Sequence, residues 1–128
     1  MRVFKSKRFA KFARTERISD ASLCKAVKNA KQGLIDGNYG GGVIKQRIAR
    51  ANEGKSGGYR AIILFRRGVR SFFVYGFAKN EQANIDESEE RDFKELAETL
   101  LGASERVLKK LIELGEFAEV KCDEQEEI

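Results

Sequence analysis

Apolar and polar positions along this chain follow two different periods. In KSKRFAKFARTER, residues 5–17, Phe9, Phe12 and Ala13 recur at i, i+3 and i+4, while Lys7, Lys11 and Arg14 hold a basic face. One apolar stripe beside a charged face predicts an amphipathic helix, with Ser6 as its N-cap. A second helix is predicted in ISDASLCKAVKNAKQG, where Leu23, Ala26, Val27, Ala30 and Leu34 form the apolar stripe. Ser19 is its N-cap, Ile18 and Leu23 are spaced as a hydrophobic staple, and Gly33 suits the residue after its end. The link between the two is short, which predicts an antiparallel helical hairpin.

The period then changes to two. Residues 2–4 read as a short strand and DGNYGGG, residues 36–42, as a loop. In VIKQRIAR, Ile44, Gln46 and Ile48 alternate with Lys45, Arg47 and Ala49, the pattern of a strand. After a second loop at 51–58, the β-rich runs 59–65 and 71–77 flank a turn at Gly68 and predict a hairpin. From Asp86 the helical period returns. Phe93, Leu96, Ala97 and Leu100 mark one helix ending at Gly102. Val107, Leu108, Leu111 and Ile112 mark another, capped by Ser104 and followed by Gly115, and CDEQEEI reads as a disordered tail. The expected architecture is α+β: an N-terminal helical hairpin packed on a three- to four-stranded antiparallel sheet, with an acidic helical C-terminal extension. Residues 1–88 form the expected core, and residues 89–128 an extension of the same domain.

Composition narrows the class. A chain of 128 residues suits one domain. With 41% hydrophobic and 35% charged residues it has material for a core and no apolar run of membrane-spanning length. The basic N-terminus lacks the apolar stretch of a signal peptide, which points to the cytoplasm. In that compartment Cys24 and Cys122 are expected to be two ordinary thiols. Residues 1–80 hold 19 lysines and arginines against 4 acids, a net +15, whereas residues 81–128 hold 6 against 16, a net −10. A segment that basic attracts polyanions, because neutralising phosphates releases their condensed counterions. The chain has no histidine, so the usual near-neutral acid–base group is missing.

The tripeptide Gly54-Lys55-Ser56 suggests a nucleotide phosphate loop, but that motif requires a glycine where Ala49 stands, and no helix signal follows. It reads as a basic loop in which Lys55 can meet RNA phosphate. Arg60 is more informative. Strand alternation puts Arg60, Ile62 and Leu64 on one face and Tyr59, Ala61, Ile63 and Phe65 on the other. An arginine at the end of an apolar strand stands where sheet meets solvent, held rigidly and able to grip a phosphate with two N–H groups. The alternative is a surface arginine paired with a carboxylate.

The order of basic helices, KQRIAR strand, SGGYR strand, hairpin and FVYGFAKNE followed by Asn84-Ile85 resembles the RelE/ParE superfamily of toxins from type II toxin–antitoxin systems, and most closely its HigB-like, RelE-type branch. The resemblance covers roughly residues 1–88. It implies a ribosome-dependent mRNA endoribonuclease that needs no metal or other cofactor, with the RNA 2′-hydroxyl attacking the scissile phosphate. It also implies a cognate antitoxin, in this branch usually a helix-turn-helix protein, alongside the ribosome and mRNA, and no membrane partner. Carried over by position, Arg60 matches the arginine of the family's GYR motif, Lys45 and Arg47 its paired basic residues, and Lys79 the lysine ending its last core strand. Asn80 replaces a second active-site arginine and Asp86 a functional tyrosine. Glu81 and Lys79 are both candidates for proton transfer. Asn80 and Lys55 are candidate RNA contacts, and Tyr75 is either a core residue or a base-stacking platform. The basic faces of the first two helices would suit ribosomal RNA. Two other readings stay open: a ParE-like toxin that inhibits DNA gyrase, and a non-enzymatic RNA-binding module.

Overall fold

Ser6 ends one element and begins the next. In a computed structural model that describes residues 1–49 and 58–122, strand β1 (Arg2–Ser6) runs directly into helix α1 (Lys7–Thr15). The Ser6 hydroxyl accepts a hydrogen bond from the Phe9 N–H at 3.0 Å, satisfying one of the helix's orphan donors. Phe9 and Ala13 of α1 are buried. Helix α2 (Asp20–Lys31) is capped in the same way by Ser19, and Leu23, Ala26, Val27 and Ala30 are its buried stripe. Leu34 was expected to extend that stripe and is instead 63% exposed. Gly33, at φ +85°, turns the chain away first.

Strands β2 (Gly37–Gly40), β3 (Val43–Ile48), β4 (Tyr59–Arg66) and β5 (Arg70–Ala78) follow, then helices α3 (Glu87–Leu101) and α4 (Glu105–Glu113) and strand β6 (Phe117–Val120). The strands make one six-stranded sheet in the order β2-β3-β4-β5-β1-β6. It is mixed, because β1 lies parallel to β5 while every other pair is antiparallel. The sheet is therefore larger than the expected three or four antiparallel strands. Two of the additions, β2 and β6, are four-residue edge strands. Part of the expected 36–42 loop is β2, whose glycines hide a strand from propensity reasoning.

Each face of the sheet carries its own core. Phe9, Leu23, Val27, Ile44, Ile63 and Phe73 cluster where α1 and α2 lie. Phe4, Ile62, Leu64, Phe72, Leu100 and Leu108 cluster on the other face with α3 and α4. A β-bulge shapes this second face: Ile62 lies opposite Tyr75 but Ile63 opposite Phe73, so Val74 is the extra residue. Val74, Tyr75 and Phe77 consequently all belong to the same cluster, which simple alternation would forbid. On the first face the missing side chain of Gly76 makes room for Phe12, whose ring would stand 2.4 Å from a Cβ there.

Arginines tie the acidic C-terminal segment down. The last turn of α3 has no basic residue of its own. Arg70 Nη1 donates to the carbonyls of Leu100 (3.1 Å) and Ala103 (2.6 Å), and Arg66 Nη1 to that of Leu101 (3.4 Å). The β4–β5 hairpin thus supplies donors to carbonyls at and just beyond the end of α3. Arg2 grips Glu119 of β6 with Nε and Nη2 at 3.0 and 3.1 Å, and also bonds Glu105. The hydrogen bond from Arg2 holds the Glu119 carboxyl below its ordinary pKa.

The two cysteines are not free thiols. Cys24 of α2 and Cys122, just past β6, form a disulfide with Cα atoms 5.6 Å apart, within the usual span for such a bond. Both half-cystines lie beside the α1/α2 core, packed against it. Their sequence separation of 98 residues made the pairing invisible in the sequence. It also fixes the first residue of the expected disordered tail; the rest of that tail, residues 123–128, lies outside the described residues.

A cross-link closing so long a loop contributes roughly 3–5 kcal/mol by restricting the unfolded chain. Cys24→Ser, or wild type in reductant, is expected to lose that much in urea denaturation, and reductant should leave Cys24→Ser unchanged. Acid should weaken the β6 clamp. Glu119, with its lowered pKa, contributes stability that is present above the ordinary glutamate value of about 4.3 and lost as pH falls through its folded value. Glu119→Gln should therefore melt lower than wild type at pH 7, with the gap narrowing towards pH 3.

Candidate phosphate-binding site

The strand register places basic residues together at one end of the sheet. Arg47 of β3 lies directly opposite Arg60 of β4, and Arg60 directly opposite Phe77 of β5. Lys45 precedes Arg47 by two residues, on the same face by alternation, and lies opposite Ile62. Lys79 follows Phe77 by two residues in the turn leaving β5, its N–H bonded to the Gly58 carbonyl at 3.4 Å. The side chains of Lys79, Asn80 and Glu81 are exposed there, as is that of Arg47. Among the described residues Lys79 and Glu81 form no ion pair. Lys55 lies outside the described residues.

Arg60 is not at the solvent boundary. It is 5% exposed. Its Nε donates to Asp36 Oδ2 at 3.0 Å and its Nη1 to the Tyr59 carbonyl at 3.3 Å. Lys45 Nζ stands 4.0 Å from the same Asp36 oxygen. The site is therefore built on a carboxylate flanked by two cations, an arrangement that satisfies the buried guanidinium. Nη2 of Arg60 makes no hydrogen bond among the described residues.

Asp36 owes its position to Gln46. The Gln46 side chain is buried on the other face of β3 and donates to the carbonyls of Ala26 (3.0 Å) and Leu34 (2.8 Å). Its Oε1 accepts from the Asp36 N–H at 3.1 Å. One amide thus fixes α2, the turn after it and the start of β2 relative to β3. Gly37 lets Lys45 lie close across β2, because a Cβ at Gly37 would stand 3.2 Å from Lys45 Cε. Sequence reasoning missed both Asp36 and Gln46. Asp36 opens a glycine-rich segment and reads as a turn former, and its partner is 24 residues away.

Tyr75 is half-buried and fully engaged. Its ring tilts against Phe77 and Phe93, with centroids at 5.8 and 6.1 Å, and the Arg8 guanidinium lies 4.5 Å from its centre. Its hydroxyl donates to Gln82 Oε1 at 3.1 Å. Nearby, the Tyr39 hydroxyl bonds Asn84. Burial, reinforced by Glu90 and Asp36, pushes the Tyr39 pKa up, so it stays a neutral phenol.

A mixed sheet with helices on both faces, carrying cations in register at one end, defines a small α+β protein. The family model for the RelE toxin of the RelE / RelB toxin–antitoxin system matches residues 1–120. The chain belongs to the RelE toxin family. The match runs through α3, α4 and β6, beyond the residues 1–88 over which the resemblance was expected. No curated protein matches the chain. Family membership makes it the toxin of a toxin–antitoxin pair, a class that generally inhibits translation, and implies a cognate antitoxin.

Removing the Asp36 carboxylate leaves a buried arginine without its counterion. Asp36→Ala should cost roughly 3 kcal/mol in urea denaturation. The double variant Asp36→Ala/Arg60→Met should recover most of that loss, since replacing both partners removes the uncompensated charge.

Proposed function

We propose that the chain is a HigB-like toxin that cuts mRNA on the ribosome. The observation supporting this most directly is the register that aligns Arg47 with Arg60 at the sheet end from which Lys79 leaves β5. The reaction suits such a site. The RNA 2′-oxygen attacks the adjacent phosphorus, the bond from phosphorus to the 5′-oxygen breaks, and the 2′-hydroxyl proton passes to a base. The 5′-oxygen takes up a proton, and the products are a 2′,3′-cyclic phosphate and a 5′-hydroxyl end. Charge builds on the phosphoryl oxygens, so fixed cations stabilise the transition state more than the ground state.

Arg60, immobilised by Asp36 and the Tyr59 carbonyl, supplies rigid charge through Nη2, and Lys45 adds a second charge beside it. Preorganised donors of this kind need no rearrangement during the reaction. Exposed Lys79 contacts the scissile phosphate directly, and Glu81 and Lys79 share the proton transfers. Arg47, Lys55 and Asn80 bind the flanking RNA, and Tyr75 forms the packed wall beside them. The antitoxin is a helix-turn-helix protein, and the protein acts in the cytoplasm, where the ribosome is. Among the described residues no helix is long and apolar enough to cross a membrane.

Primer extension on a defined mRNA in a purified translation reaction tests this reading. Wild type should give discrete cuts in codon register that disappear without ribosomes. Lys79→Ala should fold normally and lower cleavage by about 100-fold, the usual effect of losing one transition-state donor. Absence of cuts in every lane would overturn the nuclease reading and direct the next assay to DNA gyrase.

A further inference from the structure

The turn leaving β5 carries Lys79 and Glu81 exposed, yet two strands hold the segment that follows it. Near its start the backbone does the work. The Glu81 and Gln82 N–H groups both donate to the Ala78 carbonyl, at 3.1 and 3.2 Å. Farther on, side chains take over. The Tyr75 hydroxyl, on β5, donates to Gln82 Oε1 at 3.1 Å. Gln82 Nε2 donates to the Asn84 carbonyl at 2.8 Å, and Asn84 Oδ1 accepts the Ile85 N–H at 3.0 Å. That Oδ1 also accepts the hydroxyl of Tyr39, on β2. Strands β3 and β4, which bear Lys45, Arg47 and Arg60, lie between β2 and β5. The segment is therefore tied to the sheet on both sides of the basic strands. Ile85 is buried in the same core cluster against which both tyrosine rings pack.

We propose that Tyr39 and Tyr75 are positioning residues, whose hydroxyls hold the turn from 79 to 85 so that Lys79 and Glu81 face the phosphate gripped by Arg60 and Lys45. The inference rests on the nuclease reading above and extends it to two groups that act through the turn. Both rings are half-buried, and phenylalanine would fill the same space. The hydroxyls are what reach Gln82 and Asn84. The Tyr75 hydroxyl is itself aimed by its surroundings, since Arg8, Phe77 and Phe93 fix the ring. With no histidine in the chain, the reaction depends on the placement of its cations and proton carriers more than on a side chain that titrates near neutrality. A turn fixed beforehand supplies that placement, because less freedom is lost when the RNA arrives.

Steady-state cleavage of a defined mRNA on purified ribosomes, with the full chain, tests this. Tyr39→Phe/Tyr75→Phe keeps both rings and removes only the two hydroxyls. Its kcat should fall about tenfold with KM for the programmed ribosome unchanged, and each single variant should show part of that loss. Adding Lys79→Ala to the double variant should lower kcat no more than about threefold below Lys79→Ala alone, because a clamp acting through the turn has little left to place. Unchanged kcat, a loss confined to KM, or losses that simply multiply would overturn the inference, while cleavage by wild type would leave the nuclease reading standing. Circular dichroism checks each fold. Should the double variant unfold, the single variants carry the same test, and unfolding of both would assign the tyrosines to stability and overturn the inference. If wild type makes no cuts, the nuclease reading fails and this inference falls with it.

Discussion

The position of β1 constrains the rest of the structure. The first strand of the chain lies between β5, its parallel neighbour, and β6, the last strand described. It is bonded on both edges, so the sheet closes only when the C-terminal segment has arrived. Phe4 of this strand stacks on Phe72 at 4.9 Å, while Val3 points to the opposite core. Arg2 at its start holds Glu119, and Ser6 at its end starts α1. Removing β6 would expose one edge of β1 and withdraw Phe117 from its place against Phe72. The disulfide from Cys24 to Cys122 reinforces this closure, because it joins α2 to the residues immediately after β6. Local sequence forms the helices, but a pairing between the two ends of the chain holds the layers together.

The buried cation at Arg60 is a second constraint, and it makes the candidate site rigid. A guanidinium 5% exposed is stable only with its counterion and acceptors in place. Asp36 and the Tyr59 carbonyl provide them, and Gln46 secures Asp36. The same contacts hold the guanidinium in one orientation. Lys45 stands farther from the shared carboxylate, at 4.0 Å. One carboxylate thus serves two cations, one buried and one partly exposed.

How much of this was legible in the sequence depended on the range of the interaction. Ser6, Ser19 and Ser104 cap their helices as their spacing predicted, because a cap is decided within one turn. The split of Ile62 and Leu64 from Ala61 and Ile63 also follows from alternation. The bulge at Val74 was not legible, since it needs the partner strand to define it. Nor were β2 and β6, whose four residues are too few to show a period. The basic residues of the site were visible as types and positions; what surrounds them was not. Asp36 looks like a turn residue until β2 pairs with β3, and the burial of Arg60 becomes visible only with Asp36 beside it. Cys24 and Cys122 lacked any local signature, and their union depends wholly on the C-terminal segment returning to α2.

The charge asymmetry of the chain now has a structural account. Part of the excess positive charge in the first 80 residues is spent internally on the acidic C-terminal segment. Arg2 binds Glu105 and Glu119, and Arg70 meets Glu105 while it caps α3. These contacts use arginines, whose several donors suit carboxylates and helix-end carbonyls alike. Two groups among the remaining cations differ in their neighbours. One set stands at the ends of β3, β4 and β5, among polar neighbours and a single carboxylate. The other lines α1 beside exposed Leu96 and Phe117. Similar charge thus stands in two different settings, one polar and the other beside apolar side chains. Net charge alone could not make that distinction, because it depends on which uncharged residues lie beside each cation.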